Sequence, residues 1–108
     1  MATPIRREVV ESPLFQGADE TIVYKITTTP WASNITTLSS KIYSYSFADG
    51  SYTDVTSANM TGSTTSSGDV VTLPAIAGLS ANIRYRVEVK FSSSGNTFEP
   101  YFWIYGQR

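Results

Sequence analysis

The chain contains no cysteine and no histidine. That inventory excludes a Ser-His-Asp triad, a thiol nucleophile and any metal site ligated by histidine or cysteine. It also excludes a disulfide, which favours folding in the cytoplasm for a small β-rich domain. Charge is sparse as well: Asp, Glu, Lys and Arg make up 16% of residues, against about a quarter in ordinary domains. A net charge of −1 gives no electrostatic reason to expect nucleic acid or an anionic membrane as partner. No apolar run approaches the roughly 20 residues that a membrane span needs. The opening MATPIRREVVESPLF has no apolar h-region, so no secretory signal is expected.

Chemistry is also missing from what remains. Asp19-Glu20, and Asp49 with Asp54, are the only local groupings of carboxylates. Paired carboxylates can work on a sugar or bind calcium. These lie beside turns, where Asp is common because it bonds its own backbone. No glycine-rich phosphate loop is present, and Ser94-Gly95-Asn96 reads as a turn. Asn34-Ile35-Thr36 and Asn59-Met60-Thr61 match the glycosylation pattern and read as chance matches in an unsecreted chain. Neither enzymatic activity nor a cofactor or metal is expected.

What is present is β-forming. The 108 residues are near the usual size of one domain, and a 41% hydrophobic fraction builds one core. Seven Tyr, five Phe and two Trp accompany abundant Ser and Thr. Residues 1–19, with Pro4 and Pro13, read as an extended N-terminal arm or a first edge strand around 7–10. Residues 20–108 read as the folded body. Within it, residues 21–28 alternate, with Ile22, Tyr24 and Ile26 on one side, and Pro30 ends the run. Residues 40–47 and 52–55 flank Asp49-Gly50, the strongest short-range hairpin signal. Residues 56–68 are weakly apolar and read as a long loop or frayed edge. Further strands are expected over 69–73, 84–91 and 97–105. Short strands separated by turn chemistry indicate a sandwich or small barrel.

One corner is more specific. Leu73-Pro74 leaves a strand, Gly78 permits a turn, Leu79 plugs the bottom of the core, and Tyr85, Val87, Val89 and Phe91 point inward. The run Gly78-Leu79-Ser80-Ala81-Asn82-Ile83-Arg84-Tyr85-Arg86-Val87-Glu88-Val89 resembles the E–F corner of fibronectin type III and related Ig-like domains. Those modules carry Gly-Leu, a short turn and then Tyr-x-Val-x-Val; where they have Pro-Gly, this chain has Ala81-Asn82. The resemblance implies an all-β, Ig-like antiparallel sandwich of about seven strands. In it Tyr85 and Leu79 would form a tyrosine corner, with the phenol bonding backbone upstream.

The last strand carries the candidate surface. Phe98, Phe102 and Ile104 share one side; Tyr101, Trp103 and Tyr105 share the other with Glu99. The aliphatic-rich set suits the core, which turns the three aromatics outward. A bulge near Pro100 would reverse that parity and put Trp103 inside. In an Ig-like sandwich the outward neighbours would be Arg84 and Arg86, then Tyr43 and Tyr45. Aromatics interleaved with arginines are the composition of binding hot spots. An apolar patch of this kind favours self-assembly or docking on a larger body, and an extended arm can add to a neighbour's sheet.

A second resemblance covers most of residues 20–108. Gly68-Asp69-Val70-Val71-Thr72-Leu73-Pro74, the corner, Tyr85-Arg86-Val87-Glu88-Val89-Lys90-Phe91 and Gly95-Asn96 resemble small cysteine-free sandwiches among the structural proteins of tailed bacteriophages. It implies a virion structural protein, made in the host cytoplasm and carried in multiple copies. Its role would be a capsid decoration or a neck or tail accessory that docks on other virion proteins. The alternative is a carbohydrate-binding or adhesion module.

Overall fold

A computed structural model describes residues 7–9, 12–29 and 31–108. Pro30, Pro4 and the rest of residues 1–6, with Val10 and Glu11, lie outside the described residues. The chain is all-β with one short helical turn. The strands are β1 (Leu14–Gly17), β2 (Lys25–Thr27), β3 (Thr36–Tyr45), β4 (Tyr52–Asp54), β5 (Met60–Thr61) and β6 (Thr65–Ser67). They continue with β7 (Val70–Thr72), β8 (Ala75–Ile76), β9 (Arg84–Ser93), β10 (Asn96–Phe98) and β11 (Tyr101–Gln107). The helical turn α1 (Thr56–Asn59) precedes β5.

The larger sheet has the order β1-β11-β9-β3-β4, with β10 also paired to β9. A second sheet runs β2-β7-β6, and β5 pairs with β8. Among the described residues eleven segments stand where seven were expected: β8 forms after Pro74, where no strand was expected, and two further differences account for the rest. Residues 56–68, expected to be a long loop or a frayed edge, contribute α1, β5 and β6, the last at the edge of the smaller sheet. The final strand is divided at Glu99-Pro100, because a proline has no N–H for the ladder. The pairing does not slip there: Phe98 faces Phe91 and Tyr101 faces Glu88, on one continuous register. Parity is therefore conserved across Pro100, and no bulge reverses it.

Two turns set this register. Ser94 and Gly95 both take positive φ, 51° and 82°, as a two-residue type I′ hairpin turn requires. On the other side, Asp49 accepts bonds from the Ser51 N–H at 3.1 Å and the Ser51 Oγ at 2.7 Å. The 46–51 link then closes with Tyr45 opposite Tyr52.

The core lies between the two main sheets. Strict alternation along β9 buries Tyr85, Val87, Val89, Phe91 and Ser93 and leaves Arg84, Arg86 and Glu88 on the other side. Phe102 and Ile104 of β11, Ile42 of β3, and Ile26 and Val71 of the smaller sheet complete the interior with Leu73, Ile76 and Leu79. Each such side chain contributes about 1.5–3 kcal/mol by leaving water. Tyr85 is 4% exposed, and its hydroxyl accepts the Ser80 N–H at 2.8 Å. That bond ties the start of β9 to the turn before it.

Within the first nineteen residues, expected to be an arm or a first edge strand, Leu14–Gly17 forms an edge strand of this sheet, later than the expected 7–10. Glu8 pairs with β11 through an isolated bridge to Tyr101, while Leu14–Gly17 runs parallel to β11 with Leu14 opposite Ile104 and Gly17 opposite Gln107. Gln16 explains the position. It is fully buried, donating to the carbonyls of Ile76 at 2.7 Å and Glu20 at 3.0 Å and accepting from the Tyr24 hydroxyl at 2.8 Å. A buried amide with its donors and acceptor used costs little. It stitches β1 to the opposite side of the molecule. Burial, and secondarily the Glu20 charge, push the Tyr24 phenol up to about 12.

Candidate functional site: the outer face of the larger sheet

Residues on β11, β9, β3 and β4 that point away from the core meet in rows across the sheet, because facing residues share a side. One row runs Phe15, Tyr105, Arg84, Tyr45 and Tyr52. The next runs Trp103, Arg86, Tyr43 and Asp54, and a third runs Tyr101, Glu88 and Lys41. Each of the first two rows places an arginine between aromatic side chains. All seven residues that the sequence nominates for partner binding, Tyr43, Tyr45, Arg84, Arg86, Tyr101, Trp103 and Tyr105, lie on this one face, half-buried.

The rings hold the cations from the sides. The Arg84 guanidinium carbon lies 4.3 Å from the Trp103 ring centroid, 5.2 Å from Tyr105, 5.3 Å from Phe47 and 5.8 Å from Tyr45. Arg86 lies 4.0 Å from the Tyr101 ring and 6.0 Å from both Tyr52 and Trp103. Within about 6 Å of a ring centroid a guanidinium is attracted by the ring's electron-rich face. The rings also pack on one another: Tyr45 meets Phe47 at 5.1 Å edge-on, Tyr52 at 5.1 Å and Trp103 at 6.0 Å. Fixed rings on paired strands form a surface whose shape is set before any partner arrives.

The two arginines differ in their charge partners. Arg86 Nε lies 3.0 Å from a Glu88 carboxylate oxygen, a charge contact without hydrogen-bond alignment. Arg84 Nε is shielded from solvent and has no hydrogen-bond partner. Among the described residues no carboxylate forms an ion pair with Arg84.

Three members of the site were not nominated from sequence. Phe47 is 65% exposed, Phe15 56% and Tyr52 47%, and together they form the outer rim. Tyr52 was within reach of the Asp49-Gly50 hairpin signal, since that turn pairs it with Tyr45. Phe15 carried no such signal. It reaches the face only because β1 pairs with a strand about ninety residues later, bringing Phe15 to 5.4 Å from Tyr105 in an edge-on contact.

The Asp49 and Asp54 carboxylates are occupied by their own turns. Bonds from Ser51 hold Asp49 below the usual carboxylate range, and Thr56, through its side chain first and then its N–H at 2.9 Å, does the same for Asp54.

Comparison with family models, with curated proteins and with solved structures returns no match.

Proposed function

We propose that this chain is a non-enzymatic docking module with an Ig-like sandwich fold, a structural component of a tailed-bacteriophage particle that attaches to a larger protein body through its aromatic–arginine face. The strand orders support the fold assignment. β1-β11-β9-β3-β4 corresponds to the A′GFCC′ sheet of such domains and β2-β7-β6 to the B-E-D sheet. The Tyr85 hydroxyl bonded to the Ser80 N–H has the position of a tyrosine corner, near the start of strand F. The virion assignment is supported by the sequence resemblance alone. It leaves open whether the body is a capsid shell or a neck or tail component.

One observation carries the docking function: exposed Phe15, Phe47 and Tyr52 rim two ring-held arginines on a single sheet face. Aromatic and arginine side chains dominate binding energy at protein interfaces. The carbohydrate alternative needs an indole face open to a sugar ring, and Arg84 already lies 4.3 Å over the Trp103 ring.

Particles produced from the genome that encodes the chain should contain it in multiple copies by quantitative mass spectrometry. A Phe47→Ser/Tyr52→Ser variant with an unchanged melting temperature should be lost from them. Absence of the wild-type chain from particles would overturn the virion assignment, and full incorporation of the double variant would overturn the face. Deleting residues 1–17 is a poor test of attachment, because it removes β1 and Gln16 and so reads stability.

A further inference from the structure

Arg84 and Arg86 are two residues apart on the same strand, yet among the described residues only Arg86 has a carboxylate beside it. Arg84 is held by ring faces, and that grip leaves donors unspent. A guanidinium stacked on rings keeps its N–H groups in the molecular plane, directed sideways. Arg84 Nε is buried without a hydrogen-bond partner, and among the described residues no hydrogen bond reaches the two terminal nitrogens. Beside it opens a cleft of about 660 Å³, bounded by Phe15, Phe47, Tyr105, Asn82 and Arg108. Among the described residues no Asp or Glu lines it. The site therefore combines an unpaired guanidinium, a second arginine, an amide and two exposed phenylalanines.

We infer that this cleft is the seat for an acidic, apolar segment of the partner protein; the inference rests on the docking function proposed above. An Asp or Glu carboxylate of that segment takes the Arg84 fork, and an adjoining apolar side chain lies against Phe15 and Phe47. Carboxylate geometry matches the two parallel N–H groups of arginine, and a charge-assisted pair of this kind is stronger than a neutral one. A nucleic-acid backbone fits poorly, since it rewards a run of cations along its path and this cleft offers two.

The test uses two capped tripeptides, Ac-Phe-Glu-Phe-NH2 and Ac-Phe-Gln-Phe-NH2, against the full chain. The probes differ only in charge, so the comparison does not depend on any variant folding. The glutamate peptide should bind at least about tenfold more tightly, the size expected for one hydrogen-bonded charge. It should shift the Arg84 Nε–H resonance in side-chain NMR and leave that of Arg86 in place. Arg84→Gln should abolish the preference, and Arg84→Lys, which keeps the charge and loses the fork, should retain only part of it. Equal binding of the two peptides, binding of neither, or a preference that survives in Arg84→Gln would each overturn the inference. Self-association of the chain that Arg84→Gln removes would make a second copy the occupant, and would overturn it too. These outcomes are separate from the particle experiment: the face can fail there whatever the peptides do, and the cleft can fail here while Phe47 and Tyr52 still dock.

Discussion

On the smaller sheet the side chains directed away from the core are Lys25, Thr27, Thr65, Ser67, Val70 and Thr72. On the larger sheet they are mostly aromatic, four tyrosines, a tryptophan and Phe15 beside Tyr52, with Arg84, Arg86 and the charged Lys41, Asp54 and Glu88 among them. Inside, the sheets are alike, with Ile26 and Val71 on one and Ile42 and Val87 on the other, all buried. The same two-residue period builds both, so the fold alone gives no reason for the outer faces to differ. Serine and threonine hydroxyls on an exposed strand are hydrated and gain little from a partner. Ring-held arginines are partly withdrawn from water before a partner arrives, which lowers the desolvation cost of docking. The difference between the faces is what the proposed docking function would require.

The comparison requires that the larger sheet be a fixed platform, and the strongest test of that is Gly106. A β-carbon there would collide with the Ser80 carbonyl oxygen, because the 80–83 turn lies directly on β11, with Asn82 N–H bonding the Gly106 carbonyl at 2.9 Å. Gly106→Ala should cost about 3 kcal/mol in urea unfolding, since backbone cannot yield as a flexible side chain would. A wild-type midpoint would show that the turn is not seated on the strand.

Gln16→Leu should come next, at about 2 kcal/mol, by leaving the Tyr24 hydroxyl and the Glu20 carbonyl without their partner. It should also displace Phe15 from Tyr105 and weaken docking, which no change on the smaller sheet should do. Tyr85→Phe should lose about 1 kcal/mol, a typical net hydrogen bond. Unchanged thermal stability would deny the Ser80 contact a structural role.

Tyr24 supplies a pH test. Its folded value, about 12, lies above the ordinary 10.0, so its contribution is fully present below pH 10 and is lost as pH rises toward 12. Tyr24→Phe should flatten that part of the stability profile; an identical alkaline slope would locate the loss elsewhere. The smallest stability effects belong to the outer faces themselves. Phe47→Ser and Thr27→Ala should each stay within about 0.5 kcal/mol of wild type. Only Phe47→Ser should reduce attachment to the particle, and equal loss from both would erase the distinction between the faces.

Much of the site was legible because it depends on parity. The outward placement of Tyr101, Trp103 and Tyr105 follows from the inward placement of Phe102 and Ile104, provided the strand stays in register through Pro100, and it does. Arg84 and Arg86 follow in the same way from Tyr85 and Val87. Residues 56–68 were legible only as a long loop or frayed edge, because their strands are two or three residues long, too short to show a period. Gln16 was missed because a polar side chain surrounded by surface-like sequence gives no sign that three partners, one of them sixty residues away, will bury it.

The sequence by itself determined the all-β class, the Ser94-Gly95 hairpin, the turn leading to Tyr85 and the inner side of each long strand. These depend on backbone angles, proximity along the chain and a two-residue alternation. Only the tertiary structure decided that β1 runs parallel beside β11, that Gln16 is buried, and that Phe15 and Phe47 converge on an arginine without a carboxylate. Pairing between segments some ninety residues apart is settled by the packing of the whole molecule, where each contact is repaid only once the others have formed.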